Sequence, residues 1–328
     1  MTYKFKKPLN TKILKISSFN IGLYDSLENP TNINKLLNYL FDESNLIIDI
    51  LCLQGIQDLN ISKLLYRKIT THANKIGCPV IIYPKFESKT SKSIDVLYDN
   101  IWKSSTEEKD KNTKFNNIVI SRYPLINNGY CKKTKTVIAN IDVDGYLISI
   151  YNIFLTEDLS NLSNEKTRMK EINNILNDVK NNSESLHDFN KKINNKYLIK
   201  DVHIICGNFN IIETRKNIIN PEIIEKLKYM NAIDVSRYYS MISKKEEKFF
   251  NNIFNTKDCY TTILSYINND KNNKENNANI NLIVKDIYKN HGIGILLARV
   301  EKKYLINDYY PIESFFLLNK SEKTKNID

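Results

Sequence analysis

The chain has 328 residues, 41% hydrophobic and 26% charged, which excludes a disordered, collagenous or disulfide-stapled class and leaves ample apolar material for a core. No apolar run approaches the length of a bilayer span, and no apolar stretch follows the basic start MTYKFKKPLN, so neither a membrane span nor a signal peptide is expected. A formal charge of +11 fits a polyanionic partner, nucleic acid or an anionic surface, but the Lys- and Asn-rich bias of an AT-rich genome accounts for it equally well.

Residues 12–20 predict a strand ending in Phe19-Asn20, and residues 31–42 a helix introduced by Pro30-Thr31 with Leu36, Leu37, Leu40 and Phe41 on one face. Residues 45–54 read as a second buried strand and residues 59–74 as an amphipathic helix. Short strands are expected at 80–83 and 94–98. Residues 103–114, KSSTEEKDKNTK, have no apolar face and read as a loop; Trp102 beside them is expected to cover the sheet. Residues 117–125 form a strand running into Pro124. The stretches 136–141 and 146–155 pair as a hairpin across an Asp-Gly turn.

A helix over 163–179 precedes an Asn-rich stretch, 181–200, read as a surface insertion. Residues 202–211, VHIICGNFNI, form a continuous apolar strand with polar side chains at its carboxyl end, where α/β proteins usually keep their chemistry. A helix is expected near 221–230, and strands around 280–284, 294–300 and 312–318. The run Lys244–Lys248 reads as a solvated face. The five cysteines are scattered, with no CxxC pair and no His at ligand spacing, which suits an intracellular, reducing compartment. Strands and helices intermix without a linker. We therefore read one domain, 10–318, with an N-terminal extension (1–9), polar insertions near 103–114, 181–200 and 266–279, and a tail (319–328) too polar to fold.

Taken together, the strand ends resemble the endonuclease/exonuclease/phosphatase superfamily in chain order. Phe19-Asn20 is similar to its first motif. DILCLQGIQD (49–58) resembles DIxxLQE, keeping Gln54 and placing Gly55 where the glutamate belongs. NIVISRYPL resembles its ILSRYPI strand. ISIYNIFL keeps Asn152 but has Phe154 for histidine, and Arg168 lies in the following helix with Glu171 where the family often has glutamine. CGNFN keeps Asn210 but has Asn208 for aspartate. ANINLIVKD has Asn281 for aspartate, and INDYYPIESFFLL keeps Asp308 but has Tyr309 for histidine. The resemblance implies an α/β fold of two packed mixed β-sheets flanked by helices, the four-layer DNase-I-like sandwich.

It also implies Mg²⁺-dependent phosphodiester chemistry, and here the exchanges matter. A hard cation needs carboxylate oxygens, and Gly55 supplies no side chain. Asn208 cannot act as a base as the family's aspartate does. Tyr309 and Asn281 cannot reproduce the histidine–aspartate pair, and Phe154 removes another imidazole. None of the four histidines (His72, His187, His203, His291) falls at a matched position. The retained Asn20, Asn152, Asn210 and Asp308 have an architectural use as well, since buried polar groups must be paired.

The expectation is a non-catalytic protein of this superfamily, with no metal and no cofactor, acting as a nucleic-acid-binding or scaffold protein, in a virus with a large DNA genome or another AT-rich intracellular organism. Arg122-Tyr123 and Arg237-Tyr238 pair cations with aromatics, which suits stacking and clamping a nucleic-acid strand; packing of the tyrosines is the competing reading. The enzymatic alternative is a divergent Mg²⁺-dependent phosphodiesterase or nuclease, with metal carried by Asp25 or Glu28 in a relocated site.

Overall fold

The computed structural model describes residues 11–21, 30–42, 47–56, 59–84, 117–126, 128–131, 136–156, 162–195, 198–209, 212–213, 218–219, 233–234, 261–267, 293–301, 303–304, 306 and 311–319. Two six-stranded sheets pack face to face. The first has the order β13 (Ile293–Val300), β14 (Ile312–Asn319), β1 (Thr11–Asn20), β2 (Ile50–Gln54), β4 (Asn117–Ser121), β3 (Ile81–Tyr83). The second has the order β11 (Ile233–Asp234), β12 (Thr261–Ile267), β8 (Leu198–Asn208), β7 (Tyr146–Phe154), β6 (Thr136–Val143), β5 (Gly129–Cys131). A two-stranded ribbon, β9 (Ile212–Glu213) with β10 (Ile218–Ile219), stands apart. Each large sheet has one parallel pair at its centre, β1 with β2 and β7 with β8, while all other pairings are antiparallel.

Alternation along the strands builds the layers. Leu14, Ile16, Ile50, Cys52 and Val119 face Val137, Ala139, Ile148, Ile204 and Cys206 across a dry interface between the sheets. Residues on the other face of these strands, such as Phe19, Leu51, Leu53 and Ile118, pack outward against α1 (Pro30–Phe41) and α2 (Leu59–Lys75). On the other side Tyr151, Ile153 and Ile205 pack under Ile172, Ile175 and Val179 of α3 (Leu162–Lys192). The order is therefore helices, sheet, sheet, helix, the four layers expected. Both cysteines placed in the strands, Cys52 and Cys206, lie wholly buried in the interface as small apolar residues. Burial raises the Cys52 thiol well above its ordinary range.

The β6–β7 hairpin closes as its sequence predicts. Val143 pairs with Tyr146, and the two intervening residues, Asp144 and Gly145, take φ of 54° and 92°. That is the double left-handed geometry Asp-Gly favours. Gly145 donates its N–H to Asp142 Oδ1 at 2.6 Å.

Three boundaries differ from expectation. The stretch read as a surface insertion, 181–200, is α3 as far as Lys192 and β8 from Leu198. It was obscured because much of the inward face of that helix is polar: Asn182, Ser183 and Asn190 are buried beside Leu186. Asn182 is satisfied there by Asn140 (3.0 and 3.1 Å) and by Tyr151 Oη (2.8 Å). Hydrophobic periodicity cannot reveal a helix face that packs through carboxamides. Tyr266 and Ile267, assigned to the 266–279 insertion, belong to β12 and pair with His203 and Val202. Asn319, assigned to the tail, ends β14 opposite Thr11. The expected elements at 94–98, 221–230 and 280–284, the loop 103–114, the run 244–248, and residues 1–10, 268–279 and 320–328 lie outside the described residues. No described helix is long and apolar enough to cross a membrane.

Candidate functional site at the strand-end pole

The parallel pairs decide where the polar residues meet. In β1/β2, Asn20 stands opposite Gln54, and in β7/β8, Phe154 stands opposite Asn208. The carboxyl ends of all four central strands thus reach one pole. The antiparallel neighbours arrive there by their first residues: Asn117 pairs with Gln54, Thr261 with Asn208, and Ile312 with Ser18. Five carboxamides gather at this pole, Asn20, Gln54, Asn117, Asn152 and Asn208, and each is at most 3% exposed.

Asn152 is their centre. Its Nδ2 donates to Leu53 O and to Ile118 O, both at 3.0 Å, so one side chain on the second sheet grips two strands of the first. Its Oδ1 accepts from Gln54 Nε2 at 2.8 Å. Its main-chain oxygen accepts from Asn117 Nδ2 at 3.0 Å. Gln54 Nε2 also approaches Cys52 O at 2.9 Å and Ser18 Oγ at 3.2 Å. The network ties the two sheets together at their open ends, and each bond lies where water cannot replace it.

Beyond the amides the backbone itself is specialised. Gly55 takes φ +84°, a left-handed conformation that costs an L side chain about 1–2 kcal/mol. A glutamate at that position would be strained as well as newly charged. Gly207, one residue before Asn208, takes φ +136°, and a Cβ there would stand 2.0 Å from Ile153 O. Only glycine lets β8 approach β7 this closely. The chain leaving β7 is held by α3: Glu171 accepts from Thr156 N (2.9 Å) and Oγ1 (2.7 Å), and buried Arg168 donates to Thr156 O at 3.2 Å. Leu155 N donates to Asn208 O at 2.9 Å. Glu171 therefore serves the main chain after the strand, a role its position alone does not reveal.

The described donors do not fit a hard divalent cation. They are carboxamides, several already committed to each other or to carbonyls, and no group of three His, Cys, Asp or Glu capable of holding a metal occurs among the described residues. Among the predicted positions, Asn210, Asn281, Asp308, Tyr309, Arg237 and Tyr238, with the alternative ligands Asp25 and Glu28, lie outside the described residues. Ile312 pairs with Ser18, two residues before the end of β1.

Arg122 and Tyr123 are not at the pole. Because β4 runs antiparallel to β2, Ser121 pairs with Ile50, and the two residues emerge at the opposite end of the sandwich. There Tyr123 Oη donates to Asp49 Oδ1 at 3.2 Å, Arg122 lies 4.0 Å from the same oxygen, and Lys12 sits over the Tyr123 ring at 4.2 Å while pairing with Asp144 at 2.6 Å. Burial raises the Asp49 carboxyl, and the Lys15 N–H, Tyr123 and Arg122 offset part of that rise. These cations have carboxylate partners and cannot clamp a strand lying across the strand-end pole.

No family model matches the chain, and no curated protein sequence matches it. Solved structures do. An endonuclease/exonuclease/phosphatase family protein from Leptotrichia buccalis C-1013-b superposes with a TM-score of 0.51 at 14% identity, covering 92% of this chain and 98% of that one. Humanized D. rerio TDP2 gives 0.48 at 11% identity, covering 93% and 98%. An AP endonuclease from Archaeoglobus fulgidus gives 0.47 at 12%, covering 92% and 98%. With the strand order and layers described above, the chain has the DNase-I-like fold of the endonuclease/exonuclease/phosphatase proteins.

Proposed function

We propose that this chain is a non-catalytic protein of the DNase-I-like fold, acting as a nucleic-acid-binding or scaffold protein. The observation that carries this reading is what stands at two described strand ends: Gly55, with no side chain, where the resemblance would put the metal-binding glutamate, and the buried carboxamide of Asn208 where it would put the aspartate. A neutral amide neither pulls a proton from water nor supplies the anionic oxygens a hard cation requires. Gly55 adds a backbone reason, since its conformation disfavours any side chain. The groups with an architectural use are present, and those whose only use would be acid–base or metal chemistry are replaced.

Isothermal titration with Mg²⁺ and with Mn²⁺ checks this directly. The reading expects only heat of dilution and weak, salt-suppressed surface binding. A saturable one-site isotherm would refute it and restore a metal-dependent phosphodiesterase. Nucleic-acid binding is separated from protein scaffolding by retention on immobilised DNA over a salt series, because phosphate contacts weaken steeply with salt.

A further inference from the structure

We infer that the outward face of α2 is a docking surface for the phosphodiester backbone of nucleic acid. The inference rests on the nucleic-acid arm of the reading above, but places the contact on the helix layer over the first sheet rather than at the strand-end pole. The charge of the described helices is unevenly spread. α2, LNISKLLYRKITTHANK, carries four cations, Lys63, Arg67, Lys68 and Lys75, and no carboxylate. α3 carries six cations against five carboxylates. Drift toward lysine across the sequence does not by itself empty one helix of acids while balancing another.

The four α2 cations differ in their partners from Lys12, Lys15, Arg299 and Lys303. Those residues all pair with carboxylates at 2.6–2.8 Å, whereas none of the α2 four makes an ion pair with a described residue. Lys166, Lys170 and Lys180 of α3 are also exposed and outside any ion pair with a described residue, so it is the absence of carboxylates that sets α2 apart. All four α2 cations are exposed, with Thr71 and Asn74 exposed among them. The opposite side of the helix, Leu65, Ile69 and Ala73, is buried against the first sheet, so the cations ride on a fixed support. The twelve residue-to-residue rises of helix from Lys63 to Lys75 span ~18 Å. One DNA strand sets about five phosphates along that length at its ~3.4 Å spacing.

A bilayer is the weaker fit. A helix that lies on a membrane turns an apolar face to the lipid, and the apolar face of α2 is already used by the core. Ile76, just past the helix, is 41% exposed, and it is the sole exposed large hydrophobic among the described residues. Cations interspersed with hydroxyl and amide donors match phosphate oxygens instead.

The test is binding of a fluorescent duplex of mixed sequence to the full chain over a salt series. It compares wild type with Lys63→Glu/Arg67→Glu/Lys68→Glu/Lys75→Glu and with a control of equal charge change on α3, Lys166→Glu/Lys170→Glu/Lys180→Glu/Lys191→Glu. Four phosphate contacts correspond to a log–log salt slope of about −3.6, or roughly 10²-fold in affinity between about 50 and 200 mM salt. The α2 variant should lose that slope and at least as much affinity at low salt, while the α3 control keeps most of both. Charge-neutral Gln variants at the four α2 positions repeat the comparison should the reversal disturb folding. Equal losses in both variants, no duplex binding by wild type, or capture of phosphatidylserine vesicles in place of duplex would each overturn the inference. Cleavage of the duplex with Mg²⁺ would sink the non-catalytic reading and leave the α2 surface standing.

Discussion

Asn152 shows why the end of a buried strand is served by a carboxamide and not a carboxylate. It donates twice to carbonyls and accepts once from Gln54, and no ionised side chain of its size can do both. Asn152→Ala leaves Leu53 O, Ile118 O and Gln54 Nε2 buried without that partner, and should cost about 2–4 kcal/mol in urea unfolding. Asn152→Asp should be worse near neutral pH, because an anion would face two carbonyl oxygens, and it should recover as acid protonates it. Equal stability of the Ala and Asp variants across pH would contradict the hydrogen-bond assignment. Gln54 and Asn152 are identifiable in the sequence from their places in strand-end patterns. Their partners are not: the bond from Asn152 to Ile118 O spans two sheets, and the part played by Asn117 depends on β4 entering the pole by its first residue.

At the scale of elements, the far pole and the helix edges carry the charged structure. Asp49 precedes β2 and joins β1 through the Lys15 N–H at 2.8 Å. Its carboxyl is raised chiefly by burial, so the folded state binds its proton more tightly than the unfolded chain does. The stability this contributes is fully present below the ordinary aspartate range and is lost as pH rises through the folded value. Relative to Asp49→Asn, the wild type should therefore gain stability on acidification through that window, read as a difference in unfolding midpoint at successive pH values. A difference that grows in the opposite direction would mean that the hydrogen bonds from Lys15 and Tyr123 outweigh desolvation. Beneath α1, Lys15 and Glu313 form a buried pair at 2.8 Å, and Arg299 completes it at 2.7 Å. The same carboxylate lies near Tyr39, whose phenol is pushed up by burial first and by Glu313 second. Strands and helices with apolar periodicity, such as α1, α2 and β7, were legible close to their observed limits. The second half of α3 was not, because Asn182, Ser183 and Asn190 meet other polar groups rather than a hydrophobic face.

For the molecule as a whole, the fold follows from chain order. Strands from both ends of the sequence share the first sheet, with β1 between β14 and β2, so that sheet is complete only when the last strand is in place. The strand-end motifs were readable one by one, but their convergence depends on two parallel pairs that no local pattern reveals. For the same reason the sequence does not reveal that Arg122 and Tyr123 leave the sheet at the end opposite the strand-end pole. The account makes the pole a joint between sheets and the helical flank the charged surface, with phosphodiester hydrolysis absent. The measurement that tests this most directly is release of nitrophenol from bis-nitrophenyl phosphate, run beside cleavage of DNA and RNA, with Mg²⁺ or Mn²⁺ and again with chelator. The account predicts product at the rate of buffer alone in every arm. Metal-dependent turnover that the chelator abolishes, and that follows the protein through purification, would contradict it.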